Sequence, residues 1–532
     1  MKRSTKLNSF LKLFGVLFFF FTSSLLIQSQ INFFLGSDSY YHVAHSQLLV
    51  DSTNWELVKP WVKFHFFTDF PVDPYFLFHK LNSFAINLAG IVLGSKMFIS
   101  LLTGITFSTF YFVLVKYKIS YPFIWSLLLG VSSAYFSFKF LLIRSYVLAP
   151  AFLLIIYYLL DQKKYLAVTT ITGLFMLYYG MGFTALILAS CFLLADFINK
   201  QQIDWYRLLA VLVGLLIGIS LHPSSFNYLQ YLYVQYGKFF LLKFSNVPLT
   251  SGKEINLSGL SSLVKNLLPV GIFLISIATF FEYYLNQKKL TKFLPLFLFT
   301  SFWFLIFLIW PRGINYWLPF SLLFAAILYS KINLPQKINK LKQPVAIILI
   351  SISIITGGYN FYQIFSSIKQ HNNSNELKQT NQVAKFLQEN TPKNSTLFYS
   401  RWSYFPELFY FNKHNKYLFA FGSIFTYQSS PKKYYLRYNF LKNGESCNKR
   451  VCLTSNFNNY SKKVTKLFNK KMDADYIVTK TNNKIDGRVE QILTHLPNFQ
   501  QIYSNKNYKV FKIKEPTHKG RPKLRKTSYS ID

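Results

Sequence analysis

The feature that most restricts this chain is a succession of apolar runs of about 17 to 25 residues, a length that crosses the hydrocarbon core of a bilayer as a helix. We count about eleven, at 9–29, 96–115, 121–140, 145–160, 165–180, 182–198, 205–221, 263–285, 292–310, 314–330 and 344–362. Composition agrees. Of 532 residues, 51% are apolar and only 15% charged, and the mean hydropathy of +0.23 excludes a purely cytosolic enzyme. The expected fold is a polytopic α-helical membrane protein.

Basic loops stay on the cytoplasmic side, and almost every second loop here is basic. Lys2, Arg3 and Lys6, Lys116 and Lys118, Lys163 and Lys164, Lys200 and Arg207, the group around Lys288, and the cluster from Lys331 to Lys342 all fall on one side. That side reads as inside. The N-terminus is then cytoplasmic, and eleven crossings put the C-terminal region outside. Lys2, Arg3 and Lys6 before an apolar run also suit a signal peptide, but the run is long and no clear A-x-A-like cleavage site follows it, so a retained signal anchor is the better reading.

This map divides the chain into a membrane body at 1–362 and an extracytoplasmic domain at 363–515, with a basic, disordered tail at 516–532. The first outer loop, 31–95, is too long for a connector. Thr396-Leu397-Phe398-Tyr399 and Tyr476-Ile477-Val478-Thr479 read as strands, and 376–389 as an amphipathic helix opened by Ser374 and Glu376. The outer domain is therefore expected to be α/β or α+β. The net charge of +38 raises the question of nucleic acid. Its placement argues against that partner: thirty basic and ten acidic residues lie from 363 onward, and the remainder of the excess marks cytoplasmic loops. An outer basic domain suits anionic headgroups or lipid phosphates. The abundance of Phe, Tyr, Asn and Lys also fits AT-biased coding.

The first outer loop holds the candidate chemistry. In Gly36-Ser37-Asp38-Ser39-Tyr40-Tyr41-His42-Val43-Ala44-His45, helical spacing puts Asp38, His42 and His45 on one face. Such a face binds a metal or a proton, although Asp38 also suits a helix cap. The loop closes with Asp69-Phe70-Pro71-Val72-Asp73-Pro74-Tyr75, where Asp73-Pro74 also suits a turn, and with His79 just before an apolar helix.

The helix followed at once by G-x-D-x-x-Y-H, the long loop ending in D-P-Y-F-L-F-H, and the many-helix body with an outer C-terminal domain resemble the GT-C class of integral membrane glycosyltransferases. Within that class, the first motif is similar to that of the oligosaccharyltransferase catalytic subunit and its bacterial relatives. The resemblance implies a donor sugar on a polyprenyl phosphate or pyrophosphate, an extracytoplasmic site and inversion at the anomeric carbon. It also implies that Asp38 is a base or metal ligand and Asp73 the second acid, with Asp69 competing for that place. His42 and His79 take supporting roles, and any cofactor is a divalent metal, Mg or Mn, on Asp38 and Asp73. The peptide-binding W-W-D-Y-G motif is absent. Its nearest counterpart, Arg401-Trp402-Ser403-Tyr404-Phe405-Pro406, has no acid between Trp and Tyr, which weakens a protein N-glycosylation reading.

A phosphate leaving group needs a cation at headgroup depth. Arg312, in Trp310-Pro311-Arg312-Gly313, and Arg144, at the outer end of a helix, are the candidates, each suiting an interfacial anchor equally well. His222 opens the third outer loop as a phosphate or acceptor contact or as a cap. Tyr228, Tyr231, Tyr233 and Tyr236 read as an interfacial amphipathic helix. Cys447 and Cys452 suit a local disulfide on an oxidising side, while Cys191 packs in a helix. The expected function is transfer of a sugar or glycan from the lipid-linked donor to a glycan, lipid or protein acceptor, in contact with membrane lipids. Alternatives are oligosaccharyltransferase-like protein glycosylation, an O-antigen polymerase or ligase, a lipid transporter or flippase, and a membrane anchor without chemistry. Few charges occupy the centres of the apolar runs, which disfavours a transporter.

Overall fold

The computed structural model describes residues 2–51, 59–245, 247–249, 260–287, 293–331, 336–450, 460–481 and 483–514. Helices occupy all eleven apolar runs, with shifted ends. Among the described residues, four stretches, Phe10–Ser29, Ile91–Lys116, Gly180–Ile198 and Pro311–Ser330, are long and apolar enough to cross a membrane by length and composition, and six shorter apolar helical stretches have 10–17 residues. The run expected at 121–140 is two helices, Pro122–Val131 and Ala134–Lys139. Ser133 leaves helical backbone between them, and its Oγ accepts the Phe136 N–H at 3.1 Å as a cap.

The chain opens with α1 (Lys2–Ser29). The first loop is itself largely helical, with α2 (Ser37–Asp51), a short α3 (Phe66–Asp69) and α4 (Phe76–Ala89), and α5 (Ile91–Lys116) then packs back on α1. Close helix contacts rest on small residues. On helix Tyr206–Ser220, a Cβ added at Gly214 or Gly218 would lie 2.5 Å from the backbone carbonyl of Thr169 or Gly173 on helix Tyr165–Tyr178. Glycine alone permits that approach.

One helix, Gln336–Asn373, runs straight through the expected domain boundary at 362. It is pinned at two depths: Asn360 donates to the Val131 carbonyl at 2.8 Å, and Asn372 donates to the Gln30 carbonyl at 2.7 Å. Beyond it lies a mixed sheet of β1 (Thr396–Tyr399), β2 (Lys416–Tyr417), β3 (Tyr476–Lys480), β4 (Phe499–Ser504) and β5 (Tyr508–Ile513), in the order β2-β1-β3-β5-β4. β1 is parallel to β2 and β3, and β5 is antiparallel to β3 and β4. Both expected strands and the helix, here Glu376–Asn390, are present. Ser374 does not open that helix; its hydroxyl donates back to the His371 carbonyl, and Asn375 holds the cap position.

Strand alternation divides this region into two cores. Leu397, Tyr399 and Val478 face helices Glu376–Asn390 and Phe405–Phe411, together with Tyr41 and Ala44 of α2. Phe398, Ile477 and Phe511 face the opposite way, toward helices Pro431–Asn443, Tyr460–Lys466 and Lys484–Thr494. The first loop also lengthens the sheet. Lys63 and Phe64 donate their N–H groups to the Tyr417 and Leu418 carbonyls at 3.0 and 3.1 Å, covering the β2 edge. The expected tail at 516–532 lies outside the described residues.

Candidate functional site

Gly36 makes the turn into α2 with φ +71, a left-handed conformation that costs a glycine little. From there the 3.6-residue period carries Tyr41, His42, His45 and Ser46 to the buried side of α2, facing His79 and Asn82 of α4. Asp73 enters from the loop between α3 and α4. Asn82 donates to the Ser46 hydroxyl at 3.0 Å, tying the two helices together.

Asp73 is 2% exposed, and His42, His45 and His79 are 5%, 1% and 0% exposed. A buried carboxylate needs hydrogen-bond donors. Nδ1 of His79 lies 2.8 Å from both Asp73 oxygens, and the Tyr75 N–H donates to Oδ1 at 3.0 Å. Since a carboxylate only accepts, a neutral His79 carries its proton on Nδ1. Its Nε2 then accepts from Nδ1 of His42 at 2.7 Å, which puts the basic lone pair of His42 on Nε2. On the other side of Asp73, His45 Nε2 is 3.3 Å from Oδ2, and His45 Nδ1 meets the Tyr41 hydroxyl at 3.0 Å. Burial pushes the pKa of His45 and of His79 down to about 3, and burial together with the neighbouring His79 pushes that of His42 down as well. The three imidazoles are neutral at physiological pH.

Arg312 reaches this cluster through tyrosines. Its guanidinium donates to the Tyr179 hydroxyl at 2.8 Å, and the Tyr179 ring stacks on Tyr75 at 6.2 Å. Tyr75 in turn meets the His42 ring at 5.0 Å and the His79 ring at 5.8 Å. His222 is committed elsewhere: Nε2–H donates to the Asp73 carbonyl at 2.9 Å, Nδ1 accepts from the Ser224 N–H, and the ring stacks on Tyr228 at 4.3 Å. It holds the backbone of Asp73 in place. Tyr228 and Tyr231 are buried beside it, whereas Tyr233 is 55% exposed.

Asp38 is not in the cluster. It forms an ion pair with Arg144, whose guanidinium also lies 5.6 Å from the centre of the Tyr146 ring. Asp69 is exposed in the last turn of α3. The structure thus brings together Asp73, His42, His79 and His222, with Arg312 adjoining, and sets Asp38 with Arg144 apart. Cys447 is disulfide-bonded and Cys191 is free and buried; Cys452 lies outside the described residues.

Among the described residues, the group with metal-ligand spacing is His45, Asp73 and His79, with one ligand atom from each within 4.8 Å of the others. The donor set fits a metal: His45 Nε2 is buried without a hydrogen-bond partner beside the carboxylate. Two imidazoles and one carboxylate suit zinc or a similar transition ion better than magnesium, which favours oxygen ligands. This differs from the expected pairing of Asp38 with Asp73, because Asp38 is held by Arg144. His45 stood on the expected face without a role, and Tyr41, Tyr75 and Tyr179 were hidden in a chain with 37 tyrosines. The i+3 spacing from His42 to His45 was the signal available.

No family model matches the chain, and no curated protein matches its sequence. Its fold is nevertheless similar to that of solved structures. The apo oligosaccharyltransferase of Archaeoglobus fulgidus aligns with a TM-score of 0.58 at 12% identity, over 88% of this chain and 69% of that one. ArnT from Cupriavidus metallidurans, solved with undecaprenyl phosphate, aligns with a TM-score of 0.56 at 13% identity, over 93% of this chain and 98% of that one. The same oligosaccharyltransferase in complex with Zn and sulfate aligns with a TM-score of 0.51 at 12% identity, over 93% and 73%. These are GT-C glycosyltransferases, and this chain has a GT-C-like fold.

Proposed function

We propose that the protein is a membrane glycosyltransferase, taking a sugar or glycan from a polyprenyl-phosphate or polyprenyl-pyrophosphate donor on the extracytoplasmic face of the cell membrane. The observation that carries this reading is Asp73, buried among three neutral histidines and linked through Tyr75 and Tyr179 to Arg312, on a GT-C-like scaffold. The proposal keeps eleven crossings, a cytoplasmic N-terminus and an outer C-terminal domain. A groove of about 190 Å³, lined by Met176, Phe183, Leu215, Ile219, Leu232 and Tyr236, adjoins the tyrosines and is suited to an isoprenoid tail.

In the proposed reaction, the bond between the anomeric carbon and the phosphate oxygen breaks as the acceptor attacks from the opposite face, inverting that centre. Arg312, oriented by Tyr179, meets the charge growing on the leaving phosphate. The Asp73–His79–His42 chain takes the acceptor proton at Nε2 of His42, and His222 and Tyr75 hold Asp73 in position. Asp38 and Arg144 form a second charged pair at the entrance to α2, in contact with donor or acceptor. His45, Asp73 and His79 could instead hold a transition metal, which would supply Lewis-acid stabilisation of phosphate charge in place of the proton chain, because it would use the same His79 and Asp73 atoms. The test is transfer of radiolabelled sugar from a polyprenyl-phosphate donor in proteoliposomes. Wild type should turn over, and Asp73→Asn and Asp38→Ala should each lose transfer. Unchanged transfer in Asp73→Asn sinks the assignment of the cluster, and no turnover by wild type with any polyprenyl donor sinks the reaction class.

A further inference from the structure

The two helical layers on either side of the C-terminal sheet differ sharply in charge. Helices Glu376–Asn390 and Phe405–Phe411, which share a core with α2, carry two basic and three acidic residues. On the opposite face, residues 431–450, 460–472 and 484–494 carry thirteen basic residues and three acids, Glu445, Asp486 and Glu490. A coding bias toward lysine acts on both layers alike and does not produce this asymmetry. Nor does packing require it. Arg437 is buried, donating to the Ser400 carbonyl, but Lys432, Lys442, Lys462, Lys466 and Lys470 are exposed.

The charges are concentrated rather than spread. Lys462, Lys466 and Lys470 follow one another at four-residue intervals, a continuous ridge on a helix. At the edge of the ridge, Lys63, Lys433 and Lys471 gather around Asp473, and Lys63 forms an ion pair with it. Burial, opposed by Asp473, and the ammonium groups of Lys63 and Lys471 lower the pKa of Lys433. Like charges held this close repel one another, and a bound anion relieves the repulsion.

We propose that this face binds an anionic glycan, a linear polymer carrying repeated carboxylate or phosphate groups, along the ridge of Lys462, Lys466 and Lys470. Two observations favour such a partner over a bilayer or a nucleic acid. Among the described residues beyond 362, no large apolar side chain is exposed to insert into lipid. On the helix beside the ridge, Tyr434 and Tyr435 are buried, and the part-exposed Tyr438 is already engaged, stacked on Tyr434 with the Lys442 ammonium 5.6 Å from its ring centre, which disfavours stacking of nucleic-acid bases there. The proposal concerns binding and does not depend on the reaction proposed above.

The experiment uses the full chain in nanodiscs of neutral phosphatidylcholine and fluorescently labelled polygalacturonate as the probe, read by anisotropy. Wild type should bind, with an affinity that falls steeply with salt. Neutral dextran should not bind. Lys462→Glu/Lys466→Glu/Lys470→Glu should weaken binding by at least about tenfold at unchanged Tm, and Lys378→Glu/Lys385→Glu on the opposite layer should bind as wild type does. Equal binding by the triple variant overturns the proposal. Tighter binding of single-stranded DNA than of polygalacturonate overturns it in favour of a nucleic-acid surface. Loss of probe binding when phosphatidylglycerol is added to the disc overturns it in favour of headgroups.

Discussion

Asp73 and Lys466 represent two ways of using charge in one chain. Asp73 is 2% exposed, and each neighbour that reaches its carboxylate is a donor or a neutral imidazole. Lys466 is exposed on a ridge of like charges. A buried charge costs several kcal/mol unless it is satisfied, so its surroundings must be built around it, and their geometry reports what the charge is for. An exposed lysine costs almost nothing, so its position alone reports little. What is informative there is the contrast with the other layer of the same domain, built from the same amino-acid pool and carrying an acidic excess.

The sharpest way to break this comparison is to neutralise one acid on each side. Asp73→Asn should lower sugar transfer by about 10³-fold or more, because it removes the charge that orients His79 and fixes its tautomer. Asp473→Asn, at the edge of the basic ridge, should leave transfer within about twofold. Equal losses in the two variants would show that the C-terminal domain is part of the reaction centre. Arg312→Ala comes next, with a loss of about 10² to 10³-fold, and Arg312→Lys should recover only part of it because an ammonium lacks the planar fork. Steady-state kinetics on the same proteoliposomes separate the cases: an effect confined to KM would make Arg312 a ground-state anchor.

Stability against pH tests the burial of the cluster. His45 and His79 titrate at about 3 in the folded chain and at about 6.5 when unfolded. Their contribution is therefore present above pH 6.5 and is lost as pH falls from 6.5 toward 3, because the unfolded chain takes up protons that the native one refuses. Each histidine accounts for about 1.4 kcal/mol per pH unit in that window. Thermal unfolding of the chelator-treated protein in detergent at pH 7.5 and 5.5 should show a clear fall in Tm, and His79→Gln should reduce its slope. A Tm independent of pH would mean that the cluster is open to water.

Much of the scaffold was legible because membrane helices and amphipathic strands write simple periods. The apolar runs, β1, β3 and the helix at 376–390 all lie where hydrophobic patterning puts them. The helix that bridges body and C-terminal domain was not legible, because residues 363–373 are mostly polar and nothing in a hydropathy pattern says that a helix continues past an apolar run. The site divides in the same way. Asp73, His42 and His79 were found from motif spacing, while the separation of Asp38 depends on Arg144, 106 positions away in sequence. His45 lay one turn from His42 on the same face, yet a ligand requires the third partner, and Asp73 arrives only through the packing of α4 against α2.

The smallest expected effect bears on the other half of the comparison. If the lysine ridge is a binding surface and contributes nothing to packing, Lys462→Glu/Lys466→Glu/Lys470→Glu should change stability by no more than about 0.5 kcal/mol, because exposed charges away from packed features carry little free energy. Sugar transfer to a small neutral acceptor should also be unchanged. The reverse pattern, a lowered Tm with transfer reduced in parallel, would mean that the lysines brace the outer core of Val464, Leu467 and Phe468 through their aliphatic stems. The two layers would then differ in charge for a structural reason, and the contrast between a built site and a free surface would collapse into one between two kinds of packing.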